Sequence, residues 1–193
     1  MDKNHEAYND PSVVEHYASR FGLFEAEKYL VDKFVPEKCS ILDLGVGGGR
    51  TTEELSARAT RYVGADYSQS MVEICRKRFP QLEFVEANAI RMPQFDDGGF
   101  DAVVFSFNGI DYINDARDRA ACLSEIARIL AAGGVILFSS HNARALINRP
   151  ALGGEKLHQA VWRTARAIYK SSDVGIRNIR SGAFARGEGR VLT

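Results

Sequence analysis

Several features that would assign a chain to a specialised class are scarce in this sequence. Only three cysteines occur among 193 residues. Cys39, Cys75 and Cys122 form neither a CxxC pair nor a metal-ligand spacing, so isolated buried thiols and no metal site are expected. No apolar run approaches the ~20 residues of a membrane-spanning helix, and the polar N-terminus lacks the pattern of a secretory signal. The sequence therefore predicts a cytoplasmic location without membrane contact.

An excess of one charge is also absent, because 25 Lys and Arg residues balance 25 Asp and Glu residues. A net charge of zero produces no overall electrostatic field that would attract nucleic acid or a membrane surface. The distribution is uneven, however, since the stretch 142–193 holds ten basic and three acidic residues. This C-terminal quarter is a candidate contact surface. A hydrophobic content of 45% allows one globular domain with a sizeable core.

The N-terminal stretch 1–38 is predicted to be helical. Asp10-Pro11-Ser12 is a favourable helix start, the pattern continues through Ala26–Phe34, and Pro36 ends the segment. Because this stretch precedes the first strand, it should cap a sheet rather than build it. The apolar residues that recur at three- and four-residue spacing are Tyr8, Val13, Val14, Tyr17, Phe21 and Phe24.

From Ile41 onward, short apolar stretches alternate with amphipathic ones. The strand candidates are Ile41–Leu44, Tyr62–Ala65, Leu82–Val85, Ala102–Phe107 and Val135–Ser139. The helix candidates are Thr51–Arg58, Gln69–Phe79 and Arg117–Leu130. The strands are apolar on both faces, which is typical of a parallel sheet between two helix layers. The alternation predicts a doubly wound, mainly parallel α/β sheet, whose ligands bind beyond the carboxyl ends of the strands.

A glycine-rich turn, Gly45-Val46-Gly47-Gly48-Gly49, joins the first strand to a helix. Backbone N–H groups at such a turn can hold a polar ligand. Asp43 could accept hydrogen bonds from the turn or from a ligand ammonium. Asp66, 21 residues after Gly45, could accept from both hydroxyls of a ribose. A helix cap is the alternative role for Asp66, although Ser68 could supply that cap instead.

Arg50 stands where a dinucleotide-binding pattern would need its third glycine, which indicates a ligand without a pyrophosphate. Further motifs follow in order at the strand ends: Asp43–Gly49, Asp66-Tyr67-Ser68 with Met71, Ala87-Asn88-Ala89 with Met92-Pro93, Phe100–Val104, and Leu123–Leu130 with Gly133-Gly134. On these motifs, residues 10–142 resemble class I S-adenosylmethionine-dependent methyltransferases. The resemblance implies a Rossmann-like sheet, methyltransferase activity, and S-adenosyl-L-methionine as cofactor, released as S-adenosyl-L-homocysteine.

The resemblance also implies roles for individual residues. The turn Gly45–Gly47, including Val46, would hold the amino-acid end of the cofactor, and Asp66 would bind its ribose. The remaining contacts that it implies are Tyr67 and Met71 flanking the adenine, Asn88 and Ala89 at the adenine edge, Ser106 and Phe107 beside the sulfonium, and Tyr17 with Arg20 over the methionine carboxylate. Family members usually carry aspartate at the Asn88 position, which leaves the adenine pairing open. Tyr17 also lies on the apolar helix stripe, so core packing is its alternative role.

Methyl transfer from a sulfonium depends mainly on alignment, which can be worth about 7–11 kcal/mol, so the lack of a catalytic triad does not exclude an enzyme. Candidate catalytic residues near the methyl group are Asn108, Asp111 and His141, with Tyr112 beside them. His141 could act as a base or orient the acceptor, or it could be a structural histidine at a strand end. The Asn/Asp-Pro-Pro-Tyr/Phe run of relatives that methylate nucleic-acid amines is missing, which favours a small-molecule acceptor.

The chain is expected to form one domain in three parts: a helical cap at 1–38, a cofactor-binding core at 39–142 and a basic segment at 143–193. In the last part, the predicted helix Glu155–Lys170 is interpreted as the solvated face of a lid, with contact to an anionic acceptor, to RNA or to a membrane as alternatives. We expect a monomer or a homodimer. A noncatalytic cofactor-binding module and an RNA methyltransferase are the competing hypotheses for the whole protein.

The sheet of the resembling family has seven strands, and the sequence contains no convincing sixth and seventh strands. Their absence would leave the apolar stretch Val135–Phe138 at an open edge, which invites aggregation. This pattern predicts that the natural protein is about 40–60 residues longer, with Arg190–Thr193 as the beginning of strand six. A partner chain that covers the edge is the alternative.

Overall fold

The computed structural model describes Tyr17 and residues 19–141. The predictions for 1–16, 142–193 and residue 18, among them the helix Glu155–Lys170 and the question of strands six and seven, lie outside these residues. The described helices are α1 (Glu25–Phe34), α2 (Thr52–Arg58), α3 (Gln69–Arg78), α4 (Ala116–Ile129) and a short 3-10 helix (Gly109–Tyr112). The described strands are β1 (Cys39–Leu44), β2 (Ala59–Asp66), β3 (Glu83–Glu86), β4 (Phe100–Phe105) and β5 (Leu130–Phe138).

The strands form one parallel sheet with the order β3-β2-β1-β4-β5. From the central β1 the chain winds outward to β3 and then returns to build β4 and β5 on the other side. The point where the direction reverses lies between β1 and β4, and ligands of such sheets bind at that point. The prediction of a doubly wound, Rossmann-like α/β fold is therefore confirmed.

Two apolar layers enclose the sheet because successive residues of a strand point to opposite faces. Along β1, Leu42 and Leu44 pack into the layer that contains Ile126 of α4. Ile41 packs into the opposite layer with Val31 of α1. Cys39, Cys75 and Cys122 are buried free thiols, as predicted. Within the part of the chain that the structure describes, no helix combines the length and the hydropathy that crossing a bilayer requires.

Several predicted element boundaries are wrong, and the differences at β5 and β4 are the ones that affect the site. β5 begins at Leu130 rather than Val135. Helix α4 ends at Ile129, Leu130 already pairs with Phe100 of β4, and an irregularity that includes Gly133, with a φ of 80°, precedes the pairing of Val135 with Ala102. β4 ends at Phe105, so Ser106 and Phe107 lie in the following loop instead of the strand. Phe107 has a φ of 53°, which no strand residue adopts.

The loop between β3 and β4 is held against α4 by Arg128. Its guanidinium donates to the carbonyl oxygens of Phe95 and Met92 at 2.8 and 2.9 Å and also pairs with Glu125. Glu125 in turn accepts from the Met92 N–H at 2.7 Å. These hydrogen bonds lower the pKa of Glu125 to about 2. The loop that leaves the carboxyl end of β3 is thus fixed without regular secondary structure of its own.

Candidate functional site

A cavity of about 390 Å³ opens at the carboxyl ends of the strands. Its size falls within the range of roughly 300–1,000 Å³ that is usual for small-molecule sites. Most of the predicted cofactor-binding residues line it: Tyr17, Arg20, Gly45, Val46, Gly47, Asp66, Tyr67, Met71, Asn88, Ala89, Ser106 and Phe107. The fold therefore gathers into one place residues that span 91 positions, from 17 to 107, in the sequence.

The glycine turn provides space that other residues would fill. Gly45 has a φ of 68°, and a Cβ there would lie 2.8 Å from the ring of Phe105. Gly47 has a φ of 55°, and a Cβ there would project toward Tyr17, at 3.7 Å from its ring. Left-handed backbone without a side chain exposes the turn to the cavity, as the strand–turn–helix pattern predicts.

Asp66 lies at the last position of β2, beside the turn. Its Oδ2 accepts from the Gly47 N–H at 2.8 Å, and its Oδ1 accepts from the Ser68 N–H at 2.9 Å. Ser68, and not Asp66, caps helix α3, since its hydroxyl accepts from the Met71 N–H. Burial raises the pKa of Asp66, while the backbone N–H groups act in the opposite direction. The backbone N–H groups of Gly47, Ser68 and Tyr67 all act on this carboxylate, and its roughly four acceptor positions leave room for a ligand donor.

Asp43 is placed behind the cavity wall. Its Oδ2 accepts from the hydroxyls of Thr51 at 2.6 Å and Tyr62 at 2.8 Å, and the residue is 1% exposed. It is absent from the lining of the cavity, so the geometry gives no support to the predicted contact with a ligand ammonium. In this arrangement Asp43 fixes the start of α2, and through it the end of the glycine turn.

The buried position of Asp43 predicts a pH-dependent stability. Burial raises its pKa from 3.8 to about 6, against the opposing effect of the Thr51 and Tyr62 hydroxyls. The folded state thus holds the proton more tightly than the unfolded state, so the contribution is complete below about pH 4 and is lost as the pH rises through 6. At 1.36 kcal/mol per pKa unit the loss is about 3 kcal/mol.

Urea unfolding of the native chain and of Asp43→Asn at pH values near 4 and 7 measures this contribution. The drop in unfolding free energy between the two pH values should be smaller in the variant by about 3 kcal/mol. Other carboxyl groups, including Asp66, titrate in both proteins and cancel in the comparison. Parallel pH profiles for the two proteins would contradict the assignment.

Arg50 was predicted only to exclude a dinucleotide, and its structural role could not be read from the sequence. It is 8% exposed, and its guanidinium forms two 2.8 Å contacts with the Glu27 carboxylate. It also donates to the Gly22 carbonyl at 2.7 Å and stacks over the Phe24 ring at 4.6 Å. Arg50 therefore fastens the glycine turn to the first turn of α1. Arg50 and Glu27 lie 23 residues apart, so no local sequence pattern predicts that they pair.

Phe107 joins the N-terminal segment to the end of β4. Its ring meets Tyr17 edge to face at 6.2 Å and Phe24 at 6.1 Å, and the Arg20 guanidinium lies 4.7 Å from its centroid. Tyr17 thus packs in an aromatic cluster and also lines the cavity, a location compatible with both of the roles weighed for it. The cluster covers the side of the cavity that faces the N-terminal segment.

The loop after β3 places Asn88 at the cavity rim. Asn88 is exposed, and its Oδ1 accepts from the Ile90 N–H at 3.1 Å, which closes a tight local turn. Because that oxygen keeps a second lone pair, it can still meet an exocyclic amine. Ala89 and Ile90 line the cavity next to it.

The predicted catalytic residues Asn108, Asp111 and His141 come together in a hydrogen-bonded cluster at the ends of β4 and β5. The Nδ1 atom of His141 lies 2.8 Å from Asp111 Oδ2, and its Nε2 lies 3.4 Å from Asn108 Nδ2. These three side chains flank the cavity rather than line it, while their neighbours Phe107, Gly109 and Tyr112 do line it.

Sequence reasoning missed one wall of the cavity. The segment from the end of the 3-10 helix to the first turn of α4 contributes lining residues that carry no motif: Ile113, Asn114, Asp115 and Asp118. The only available signal was a helix start at Asp115, whose side chain accepts from the Arg117 N–H. Helix caps are too common to indicate a ligand.

This parallel sheet and its glycine turn are those of a methyltransferase core, and comparison with known proteins agrees. Residues 41–134 match the family model of the methyltransferase domain. This part of the chain is a class I S-adenosylmethionine-dependent methyltransferase domain. A TehB-like S-adenosylmethionine-dependent methyltransferase from Corynebacterium glutamicum shares the fold with a TM-score of 0.57 and 23% identity, over 81% of this chain and 83% of that protein.

Two curated relatives are demethylmenaquinone methyltransferases. The protein from Clavibacter sepedonicus is 40% identical over 100 residues, which are 50% of this chain and 39% of the relative. The protein from Beutenbergia cavernae is 34% identical over 128 residues, which are 66% of this chain and 51% of the relative. The matched region thus spans about half the length of these relatives or less.

Proposed function

We propose that the protein transfers a methyl group from S-adenosyl-L-methionine to a small-molecule acceptor. The observation that supports this most strongly is the position of the Asp66 carboxylate at the cavity wall, joined to the Gly47 N–H of the glycine turn. A carboxylate with an acceptor position left for a ligand, beside an open turn, suits a ligand that carries a ribose next to an amino acid. The cavity therefore fits the cofactor of the family to which its core belongs.

The residues that would hold the cofactor are those that line the cavity. Asp66 would accept from the ribose hydroxyls, and the backbone at Gly45–Gly47 would meet the amino-acid end. Tyr67, Met71, Asn88 and Ala89 would surround the adenine, and Ser106, Phe107, Tyr17 and Arg20 would close the opposite end. When bound, the cofactor supplies a methyl group already activated by a sulfonium. The protein then has to align the acceptor and exclude water, which the aromatic cluster around Phe107 suits.

The choice of a small acceptor rests on the cavity and on the relatives. Its wall is largely apolar around Val46, Ile90, Phe105 and Ile113, which suits a compact ligand with apolar rings better than a charged polymer. The curated relatives are named for a quinone-type small molecule. From these relatives we infer for this chain only that its methyl acceptor is a small molecule.

Calorimetric titration with S-adenosyl-L-homocysteine tests the cofactor part of the proposal. We expect saturable one-to-one binding to the native chain. Methyl-labelled cofactor, incubated with a fractionated metabolite extract and with total RNA, tests the acceptor part. Label in a metabolite fraction supports the proposal, label in RNA would instead favour an RNA methyltransferase, and binding without any transfer would indicate a noncatalytic module.

A further inference from the structure

The loop after β4 contains two consecutive residues in a conformation that side chains normally avoid. Phe107 and Asn108 have φ values of 53° and 61°. Such backbone costs on the order of 1–3 kcal/mol per residue and persists only where surrounding contacts enforce it. Here it turns successive side chains in different directions: Phe107 contributes to the cavity wall, and Asn108 meets His141.

The contacts that enforce this turn come from the end of β5. The Asn108 N–H donates to Ser139 Oγ at 2.8 Å, and the Ser139 N–H donates to the Phe105 carbonyl at 3.3 Å. One residue further along, Ser140 Oγ donates to Asp111 Oδ1 at 2.8 Å. The ends of β4 and β5 are thereby held in one register beside the cavity.

Asp111 orients the ring of His141 within this frame. Its Oδ2 accepts from the His141 backbone N–H at 2.6 Å and lies 2.8 Å from Nδ1 of the ring. Because an ionised carboxylate only accepts hydrogen bonds, a neutral His141 ring in this contact carries its proton on Nδ1 and keeps a lone pair on Nε2. The only contact recorded for Nε2 among the described residues is the long 3.4 Å approach of Asn108 Nδ2. The Asp111 side chain is 14% exposed, whereas that of His141 is 45% exposed.

From this arrangement we infer that His141 is the general base of the reaction, that Asp111 is its positioning residue, and that the methyl acceptor carries an ionisable hydroxyl. The inference rests on the proposed function and specifies its acceptor. A base is needed only where the acceptor loses a proton, and an imidazole is best matched to a moderately acidic hydroxyl such as a phenol or an enol.

The step balances without a further reactant. The acceptor oxygen forms a bond to the methyl carbon while the carbon–sulfur bond breaks and its electron pair stays on sulfur. The hydroxyl proton passes to Nε2 of His141, which becomes an imidazolium. Asp111 stabilises that charge through Nδ1, and Asn108 withdraws from Nε2 when the acceptor hydroxyl takes its place.

The test compares the native chain with His141→Ala and Asp111→Asn, with Asp96→Asn as the matched control. Asp96 is an exposed aspartate in the loop between β3 and β4, away from the cavity. The probes are S-adenosyl-L-homocysteine for affinity and methyl-labelled cofactor with the metabolite extract for the initial rate. General-base loss should lower the rate of His141→Ala about 100-fold or more, with cofactor affinity changed by less than about threefold. Asp111→Asn should lower the initial rate of methyl transfer at least about tenfold.

Added imidazole should restore part of the rate of His141→Ala, which a purely structural histidine would not show. Ring nitrogen NMR of the native chain should find the His141 proton on Nδ1. A native rate in His141→Ala, a proton on Nε2, or label on an acceptor without a hydroxyl would overturn this inference alone. Failure of the native chain to transfer any label while it binds S-adenosyl-L-homocysteine would overturn the proposed function and this inference together.

Discussion

Replacement of Asp66 by alanine is expected to weaken the binding of S-adenosyl-L-homocysteine by about 100-fold. Hydrogen bonds to a charged acceptor contribute roughly 1.5–3 kcal/mol each, and a loss of about 2.8 kcal/mol corresponds to a factor of 100. The variant also removes the acceptor of the Gly47 and Ser68 N–H groups, so the turn itself should loosen. Titration calorimetry measures the change directly.

Asp101 offers a matched control for this substitution. It too accepts from a backbone N–H and a second donor, both belonging to Ser40, but at the opposite, amino-terminal edge of the sheet. Asp101→Ala should therefore reduce stability without reducing cofactor affinity, and Asp66→Asn should lie between Asp66→Ala and the native chain. Equal affinity of Asp66→Ala and the native chain would exclude the ribose role.

Replacement of Arg50 by methionine is expected to lower the free energy of unfolding by about 3–5 kcal/mol, the usual penalty for removing one partner of a buried ion pair. Methionine keeps the stem of the side chain, so the loss reports on the guanidinium. It leaves the Glu27 carboxylate, whose side chain is only 15% exposed, without its cation. Among the described residues, the Phe24 N–H at 2.8 Å would then be the remaining hydrogen-bond donor to the Glu27 carboxylate. Urea unfolding followed by circular dichroism measures the change.

Arg58→Met is the control, because Arg58, at the end of α2, also forms a salt bridge to α1, with Asp32. The Asp32 side chain is 58% exposed and can return to water, so this variant should cost less than about 1 kcal/mol. Combining Arg50→Met with Glu27→Gln should recover part of the loss, since no uncompensated charge would remain. A penalty for Arg50→Met as small as that for Arg58→Met would show that the buried pair does not fasten the turn to α1.

The sequence alone determined the sheet class and about half of the cavity wall, because both depend on short-range signals. Strand–helix alternation dictates parallel pairing, and in a parallel sheet every carboxyl end lies at the same edge. The glycine turn and Asp66 could be located because each lies at the end of an apolar stretch. The joint at Ile129–Leu130 could not be located, since helix and strand meet there without a breaker and only pairing with β4 decides the boundary.

Contacts between residues that are distant in the sequence could not be predicted and became visible only in the tertiary structure. In the sequence, Asp43 is a candidate for contact with a ligand. In the structure its carboxylate lies on the face of β1 where it accepts hydrogen bonds from Thr51 and Tyr62. Arg50 pairs with Glu27, 23 residues earlier in the chain, and Asp111 contacts His141, 30 residues later. A sequence specifies which groups can donate and accept, but partners distant along the chain are set by the direction of each side chain from its strand or turn. The left-handed backbone at Phe107 and Asn108 is set in the same way, because the end of β5, 31 residues further along the chain, contributes a hydrogen bond that holds it.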